Sequence, residues 1–283
     1  MNGIHTILVT GATDGLGRAL SLRLATERAH LILHGRNAQK LKEVAASVEA
    51  LGGWRVSTLQ ADFSELAQVR RMAQKVEGLV SRLDVLVNNA GIGFGRPEGP
   101  ERKTSRDGIE LRFAVNYLAG FLLTDELTPL MRRTGRARVV NISSLGQREI
   151  DFENLLLEYD YTGIRAYCQS KLAQIMMAME FARRVPCREV TCNSVHPATY
   201  MPTKIVIDEL GMHQDSLGDG VASTYRMICD TNLKNVTGEF FNGFERGRAD
   251  PQAYDETARV RLWDYSRELI ASVEGARDHW PSL

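Results

Sequence analysis

The chain has 283 residues, 43% hydrophobic and 25% charged, and its 35 basic and 35 acidic side chains cancel to a formal net charge of zero. That length suits one large α/β domain, and the composition is ordinary for a globular protein, which excludes disorder and disfavours a nucleic-acid-coating protein with its basic excess. No run approaches the roughly 18 apolar residues of a membrane span.

The N-terminus, Met1-Asn2-Gly3-Ile4-His5, lacks the basic-then-apolar layout of a signal peptide and leads almost directly into a strand-like run at residues 6–10. The run ends at Gly11, and Leu20, Leu22, Leu24 and Ala25 then supply apolar positions for a helix. Residues 31–33 predict a second buried strand. Leu41, Val44, Ala45 and Val48 recur at helical spacing up to the breaker Gly52-Gly53. Further strands are predicted at 56–59, 84–87, 138–142 and 190–195, with a last one at 236–241. Short apolar strands separated by helices mean a parallel sheet covered on both faces. There is no internal repeat, low-complexity tract or linker, so the expectation is a single domain over residues 1–283 with a doubly wound parallel sheet. Residues 200–220 are the least regular late stretch. The four cysteines, Cys168, Cys187, Cys192 and Cys229, form no Cys-x-x-Cys pair and have no histidine at zinc-ligand spacing. Reduced thiols and a cytoplasmic location are expected.

The chemistry-bearing residues begin at Thr10-Gly11-Ala12-Thr13-Asp14-Gly15-Leu16-Gly17. Glycines in a strand-to-helix turn permit positive φ and bring backbone N–H groups close to a phosphate at the helix N-terminus. Tyr167 and Lys171 are four apart and share one face of a helix. A nearby ammonium stabilises a phenolate, which makes Tyr167 a usable proton donor or acceptor. Ser144 closes the fifth strand, where open α/β sheets bind ligands, and its hydroxyl can hydrogen-bond a substrate carbonyl.

Taken in order, these motifs resemble the short-chain dehydrogenase/reductase superfamily. The resemblance covers nearly the whole chain: the Thr-Gly-x-x-x-Gly-x-Gly turn, Asp62-Phe63 after the third strand, Asn88-Asn89-Ala90-Gly91 after the fourth, Asn116 in Phe113-Ala114-Val115-Asn116, Asn141-Ile142-Ser143-Ser144, and Tyr167-x-x-x-Lys171. It implies a Rossmann-type fold and an NAD(P)-dependent oxidoreductase whose catalytic residues are Asn116, Ser144, Tyr167 and Lys171. Gly11, Thr13, Asp14, Gly15, Leu16 and Gly17 would hold the cofactor phosphates. Asp62 and Phe63 would lie by the adenine, with Asn89, Ala90 and Gly91 beside the dinucleotide. Lys171 would hold the nicotinamide ribose beside Tyr167, and Asn116 would support a water path to Lys171. The 23-residue step from Ser144 to Tyr167 is similar to that of the retinol-dehydrogenase-like branch. His196-Pro197-Ala198-Thr199 departs from the more usual Pro-Gly, but Pro197 and Thr199 can still contact the carboxamide side of the nicotinamide.

Cofactor choice turns on His34-Gly35-Arg36, where an NAD site usually has an acid. Arg36 can instead pair with a 2′-phosphate, which favours NADP(H) over NAD(H), although Asp14 stands where some NADP-preferring relatives carry a cation. The expected partner is a small, apolar carbonyl or alcohol, with no nucleic acid, no transmembrane segment and a homo-oligomer possible. Residues 200–220 contain Met201, Ile205, Val206, Ile207, Leu210 and Met212 and are expected to close over the substrate as a lid. Two rivals stand beside the reductase: a nucleotide-binding regulator without turnover, and a cofactor-dependent isomerase or epimerase.

Overall fold

The computed structural model describes residues 5–95, 101–203, 206–207, 211 and 213–278. Buried apolar runs form the central strands β1 (Thr6–Val9), β2 (His30–Gly35), β4 (Val85–Asn88), β5 (Ala137–Ile142) and β6 (Val190–His196), while β3 (Arg55–Gln60) is a half-exposed edge. With β7 (Phe240–Asn242) and β8 (Glu245–Arg246) they make one sheet in the order β3-β2-β1-β4-β5-β6-β7-β8. β1 to β7 pair in parallel and only the β7–β8 hairpin is antiparallel. The order reverses beside β1, which pairs with β2 on one side and β4 on the other. The crevice outside the strand C-termini at that reversal is where such a sheet takes its ligand.

Side chains alternate across the strands and build two cores. Ile7 and Val9 join Leu16, Leu20 and Leu24 of α1 (Gly15–Leu24) and Leu41, Val44 and Val48 of α2 (Ala38–Ala50). Leu8 faces the opposite core, with α3 (Leu66–Leu79), α4 (Ala119–Thr134) and α5 (Gly163–Arg184). Helix starts follow local capping: Asn37 accepts from the Lys40 N–H, and Thr162 from the Arg165 N–H at the start of α5.

The last third departs from the sequence reading. The seventh strand spans Phe240–Asn242, so only Phe240 and Phe241 of the expected 236–241 run lie in it. The preceding residues reach the sheet differently, the Gly238 N–H bonding the Cys192 carbonyl at 2.8 Å. Leu217–Gly220, expected within the irregular 200–220 stretch, instead open α6 (Leu217–Cys229), because Ser216 and Asp219 form a reciprocal capping box. Of the expected lid, Ile205, Leu210 and Met212 lie outside the described residues. A C-terminal helix, α7 (Glu256–Asp278), was not expected. It packs on α4 and α5, with the Trp263 ring 4.7 Å from Phe121 and Ser266 Oγ 2.8 Å from the Tyr117 hydroxyl. Among the described residues no helix is long and apolar enough to cross a membrane, and no group of His, Cys, Asp or Glu is arranged to hold a metal ion.

Candidate active site

The glycine turn after β1 is braced by neighbours distant in sequence. Gly11 (φ +65°) and Gly15 (φ +47°) adopt left-handed backbone. Gly17 is glycine for a different reason: a Cβ there would overlap the Gly11 carbonyl oxygen and Asn89 Nδ2. Asn89 Nδ2 donates to the carbonyls of Thr10 (2.8 Å) and Gly11 (3.1 Å). Thr10 Oγ1 accepts from the N–H groups of Asn89 (2.9 Å) and Ala90 (3.0 Å). The turn and the Asn89-Ala90-Gly91 segment are therefore one rigid unit. Asp14 caps α1 by accepting from the Gly15 N–H at 2.8 Å. Leu16 buries its side chain in the core, so it and Gly17 contribute backbone. Their N–H groups lie in the first helical turn, where no intrahelical acceptor exists, and with the helix dipole they suit an anion.

At the end of β2, Gly35 meets Thr13 so closely that a Cβ would come within 2.5 Å of the threonine methyl. Arg36, next in the chain, is exposed, and among the described residues no ion pair holds its guanidinium. Asp14, which counted against a 2′-phosphate in the sequence, faces Lys40 Nζ at 3.3 Å across the same rim. Asp62 is half-buried and its carboxylate caps the Ser64 N–H at 2.9 Å. Phe63, expected beside the adenine, turns its ring inward. Its side chain is buried in the core and stacks on His34 with centroids 4.1 Å apart, so what it can offer a ligand is its backbone.

The four expected catalytic residues converge at the ends of β4 and β5. Ser144 follows β5 and is half-buried, and its Oγ accepts from the Gly146 N–H at 3.0 Å. A Cβ placed on Gly146 would lie 3.4 Å from Ser144 Oγ and 3.8 Å from Tyr167 Cε1, so serine and tyrosine flank one small space. Lys171 is buried, and its ammonium donates to the carbonyl of Ile142 (2.9 Å) and to Gln174 Oε1 (3.1 Å). It sits 5.6 Å from the Tyr167 ring centroid. Burial pulls the lysine down to about 8. Asn116 lies in a π-type turn, Phe113–Leu118, a widened helical turn often found at functional sites. Both its amide protons are committed, to the Ile92 carbonyl (3.1 Å) and Ser170 Oγ (3.0 Å), and its Oδ1 accepts from the Ile92 N–H at 2.8 Å. Its side chain thus ties the loop after β4 to the helix that carries Tyr167.

The substrate side is built from longer segments. Phe94 sets its ring edge-on to Tyr167, with centroids 5.8 Å apart. A Cβ at Gly163 would overlap the Phe94 carbonyl oxygen, so the first residue of α5 must be small. Pro197 is held through its carbonyl by Ser223 Oγ at 2.6 Å, and Thr199 Oγ1 lies 3.1 Å from His196 Nε2. The Thr199 N–H donates to the Asp215 carboxylate at 2.6 Å, and the Asp215 N–H returns to the Thr199 carbonyl at 3.0 Å, closing a neck across the excursion between them.

Residues 5–210 match the short chain dehydrogenase family. The chain belongs to it. It is 33% identical to retinol dehydrogenase 13 of Mus musculus, over 94% of this chain and 83% of that protein, in keeping with the branch that the motifs resemble. A short chain dehydrogenase from Salmonella enterica serovar Typhi shares the fold, with a TM-score of 0.71 and 24% identity over 85% of this chain and 96% of that one. A landomycin C-6 ketoreductase solved with NADP and rabelomycin superposes with a TM-score of 0.64 at 26% identity, over 84% of this chain and 94% of that one.

In this short-chain dehydrogenase three residues near the site carry no sequence signal of their own. His34 accepts from the Gly11 N–H through Nδ1 at 3.3 Å and donates from Nε2 to the Ala61 carbonyl at 3.1 Å. Complete burial holds it down to about 4, so it is a neutral strut for the glycine turn. Gln147 donates from Nε2 to the Ser144 carbonyl at 2.9 Å and accepts from the Asp250 N–H at 2.8 Å, linking Ser144 to the segment after β8. Phe94 is a loop aromatic whose role depends on what it faces.

Proposed function

We propose that this short-chain dehydrogenase is an NADP(H)-dependent enzyme interconverting an apolar ketone or aldehyde with its alcohol, with Tyr167 as general acid and base. The observation that carries the reading is the grouping of Ser144 and Tyr167 around one small space, with the Lys171 ammonium 5.6 Å from the tyrosine ring.

The donor set fits a phosphorylated dinucleotide. The first turn of α1 offers N–H groups to a pyrophosphate, and the exposed Arg36, with Lys40 beside it, suits a 2′-phosphate. The NADP in the ketoreductase structure supports the same choice. Asp62, through its half-buried carboxylate, would meet the adenine, and Pro197 and Thr199 the carboxamide. When bound, the nicotinamide supplies the hydride.

The rest is this chain's own work. In reduction Ser144 Oγ–H donates to the substrate carbonyl oxygen and orients it, and Tyr167 delivers its hydroxyl proton to that oxygen as negative charge develops there. The Lys171 ammonium stabilises the tyrosinate left behind. In oxidation the same groups act in reverse, Tyr167 accepting the alcohol proton. Leu145, which follows Ser144, Ile164, one turn before Tyr167, and Tyr200, which follows Thr199, are large residues left exposed, as is Ile207, and this supports an apolar substrate.

Following reduced-nicotinamide absorbance against a panel of ketones and aldehydes tests the reading. Turnover with NADPH in preference to NADH, and with apolar in preference to small charged carbonyls, is expected. Tight NADPH binding with no redox change across the panel would overturn it in favour of a regulator or an isomerase.

A further inference from the structure

The partners of the Lys171 ammonium are unusual for a buried cation. An ammonium has three donors and, away from water, needs acceptors and commonly a counter-charge. Here the two protein acceptors are both neutral, the Ile142 carbonyl at 2.9 Å and Gln174 Oε1 at 3.1 Å. Gln174 follows by three residues on α5, so its side chain comes from the next turn of the same helix. It is itself buried, and its backbone carbonyl is pinned to the sheet by Asn141 Nδ2 (3.3 Å) from β5 and Ser194 Oγ (3.2 Å) from β6. The carboxamide oxygen therefore approaches Lys171 from a fixed base.

We infer that Gln174 is a positioning residue for Lys171, whose amide oxygen locates the ammonium while leaving its positive charge uncancelled for Tyr167 and the cofactor. The inference rests on the cofactor and proton-transfer reading above. The residue type matters. A carboxylate at this position would form a buried ion pair, and its field would oppose that of the ammonium at the tyrosine hydroxyl. An apolar side chain would remove one of the two acceptors and leave a buried N–H unsatisfied. An amide gives the acceptor without the counter-charge.

Among the described residues, little else sets the lysine's charge. On α5 the titratable group facing it is Tyr167. From β5 comes the Ile142 carbonyl, and from the residue after it Ser143, whose hydroxyl bonds the Lys171 carbonyl at 2.8 Å. From β6 comes His196, which burial holds neutral, down to about 4, with Asp215 acting on that histidine from the segment beyond. From the π-type turn comes Asn116, through Ser170. Burial is what pulls Lys171 down, to about 8, so a change in its acceptors is read out near neutral pH.

The test is NADPH binding to the full-length protein between about pH 6.5 and 10, followed by cofactor fluorescence and calorimetry, for the wild type, Gln174→Glu and Gln174→Met. Wild-type affinity should fall as Lys171 loses its proton, with a midpoint near 8. Gln174→Glu adds an opposite charge and should move that midpoint up by roughly one unit or more, and Gln174→Met should move it down. The opposite signs distinguish positioning from packing, because a packing defect weakens binding by one factor at every pH. Midpoints that stay at the wild-type value, or move together, would overturn the assignment. If Gln174→Glu fails to fold by circular dichroism, Gln174→Met decides alone, and an unmoved midpoint sinks the idea. Failure of the wild type to bind NADPH at all would instead remove the cofactor reading beneath it.

Discussion

The two sides of the crevice are built differently. On the nucleotide side, the turn from Thr10 to Gly17 is held by Asn89 through two carbonyls and by His34 through the Gly11 N–H, and a Cβ at Gly11 would come within 2.8 Å of Ala90 Cα. On the substrate side the walls come from 145–166 and from the described residues at 199–203, 206–207 and 213–216. Tyr200 takes a left-handed φ of +45° there, and Leu145, Ile164 and Ile207 stay exposed. The nucleotide turn is specified atom by atom, whereas the substrate side combines a braced segment, with Gln252 bonding the Ile150 N–H (2.7 Å) and carbonyl (3.0 Å) and Arg165 paired with Asp151 (2.8 Å), with exposed apolar side chains and the Thr199–Asp215 neck. Such a division suits a protein that takes one invariant ligand on one side and a variable, apolar one on the other. It also predicts that damage to the two sides will look different in kinetics.

The largest expected effect lies at the seam. Tyr167→Phe removes only the hydroxyl, and general acid–base catalysis is worth roughly 10²–10⁴-fold, so kcat should fall by that much while NADPH affinity holds. Steady-state kinetics alongside cofactor titration checks both halves. A Tyr167→Phe protein keeping more than about a tenth of wild-type kcat would place the proton elsewhere and blur the seam between the two regions.

A smaller effect is expected from Arg36→Ala, confined to the nucleotide side. A charge-assisted hydrogen bond is worth roughly 1.5–3 kcal/mol, and the exposure of Arg36 puts it at the lower end, so NADPH binding should weaken about tenfold with NADH nearly unchanged. Raising the salt concentration should shrink the difference. Equal wild-type affinity for NADH and NADPH would break the assignment of Arg36 to a 2′-phosphate.

How far the sequence exposes each region follows from the range of its interactions. The parallel core was legible because β1, β2, β4, β5 and β6 are short apolar runs, and the site was legible where chemistry demands residue types at a short fixed spacing, as in Gly11–Gly17 and Tyr167–Lys171. His34 was not, because its partner Gly11 is 23 positions away and a histidine ending an apolar run carries no local signal. The inward turn of the Phe63 ring onto His34 was not legible for a related reason, since the two residues are far apart in sequence. Phe240–Asn242 is too short to announce itself, and α7 is hidden by a largely charged surface. Leu217–Gly220 is different, since Ser216-x-x-Asp219 has capping-box spacing and a signal for the start of α6 was there to be read.

The smallest expected effect tests the looser side. Asp215 closes the neck of the 199–216 excursion with one carboxylate bond to the Thr199 N–H at 2.6 Å and one backbone bond back at 3.0 Å, and the Gln214 N–H adds a third to the Tyr200 carbonyl at 3.0 Å. Asp215→Ala removes the first of these and leaves the two backbone bonds available. Because the group is only half-buried, the loss should be about 0.5–1.5 kcal/mol. If the excursion orders the apolar wall, the cost should fall on substrate capture, with KM for an apolar carbonyl rising roughly two- to tenfold while kcat and NADPH affinity change little. Amide exchange at Thr199 and Tyr200 should accelerate in the variant, and bound cofactor and substrate should slow it. An equal loss in kcat with unchanged KM would mean that the neck acts on the catalytic end of β6, through His196 and Pro197, and the contrast between a rigid nucleotide side and an adjustable substrate side would then have to be redrawn around β6.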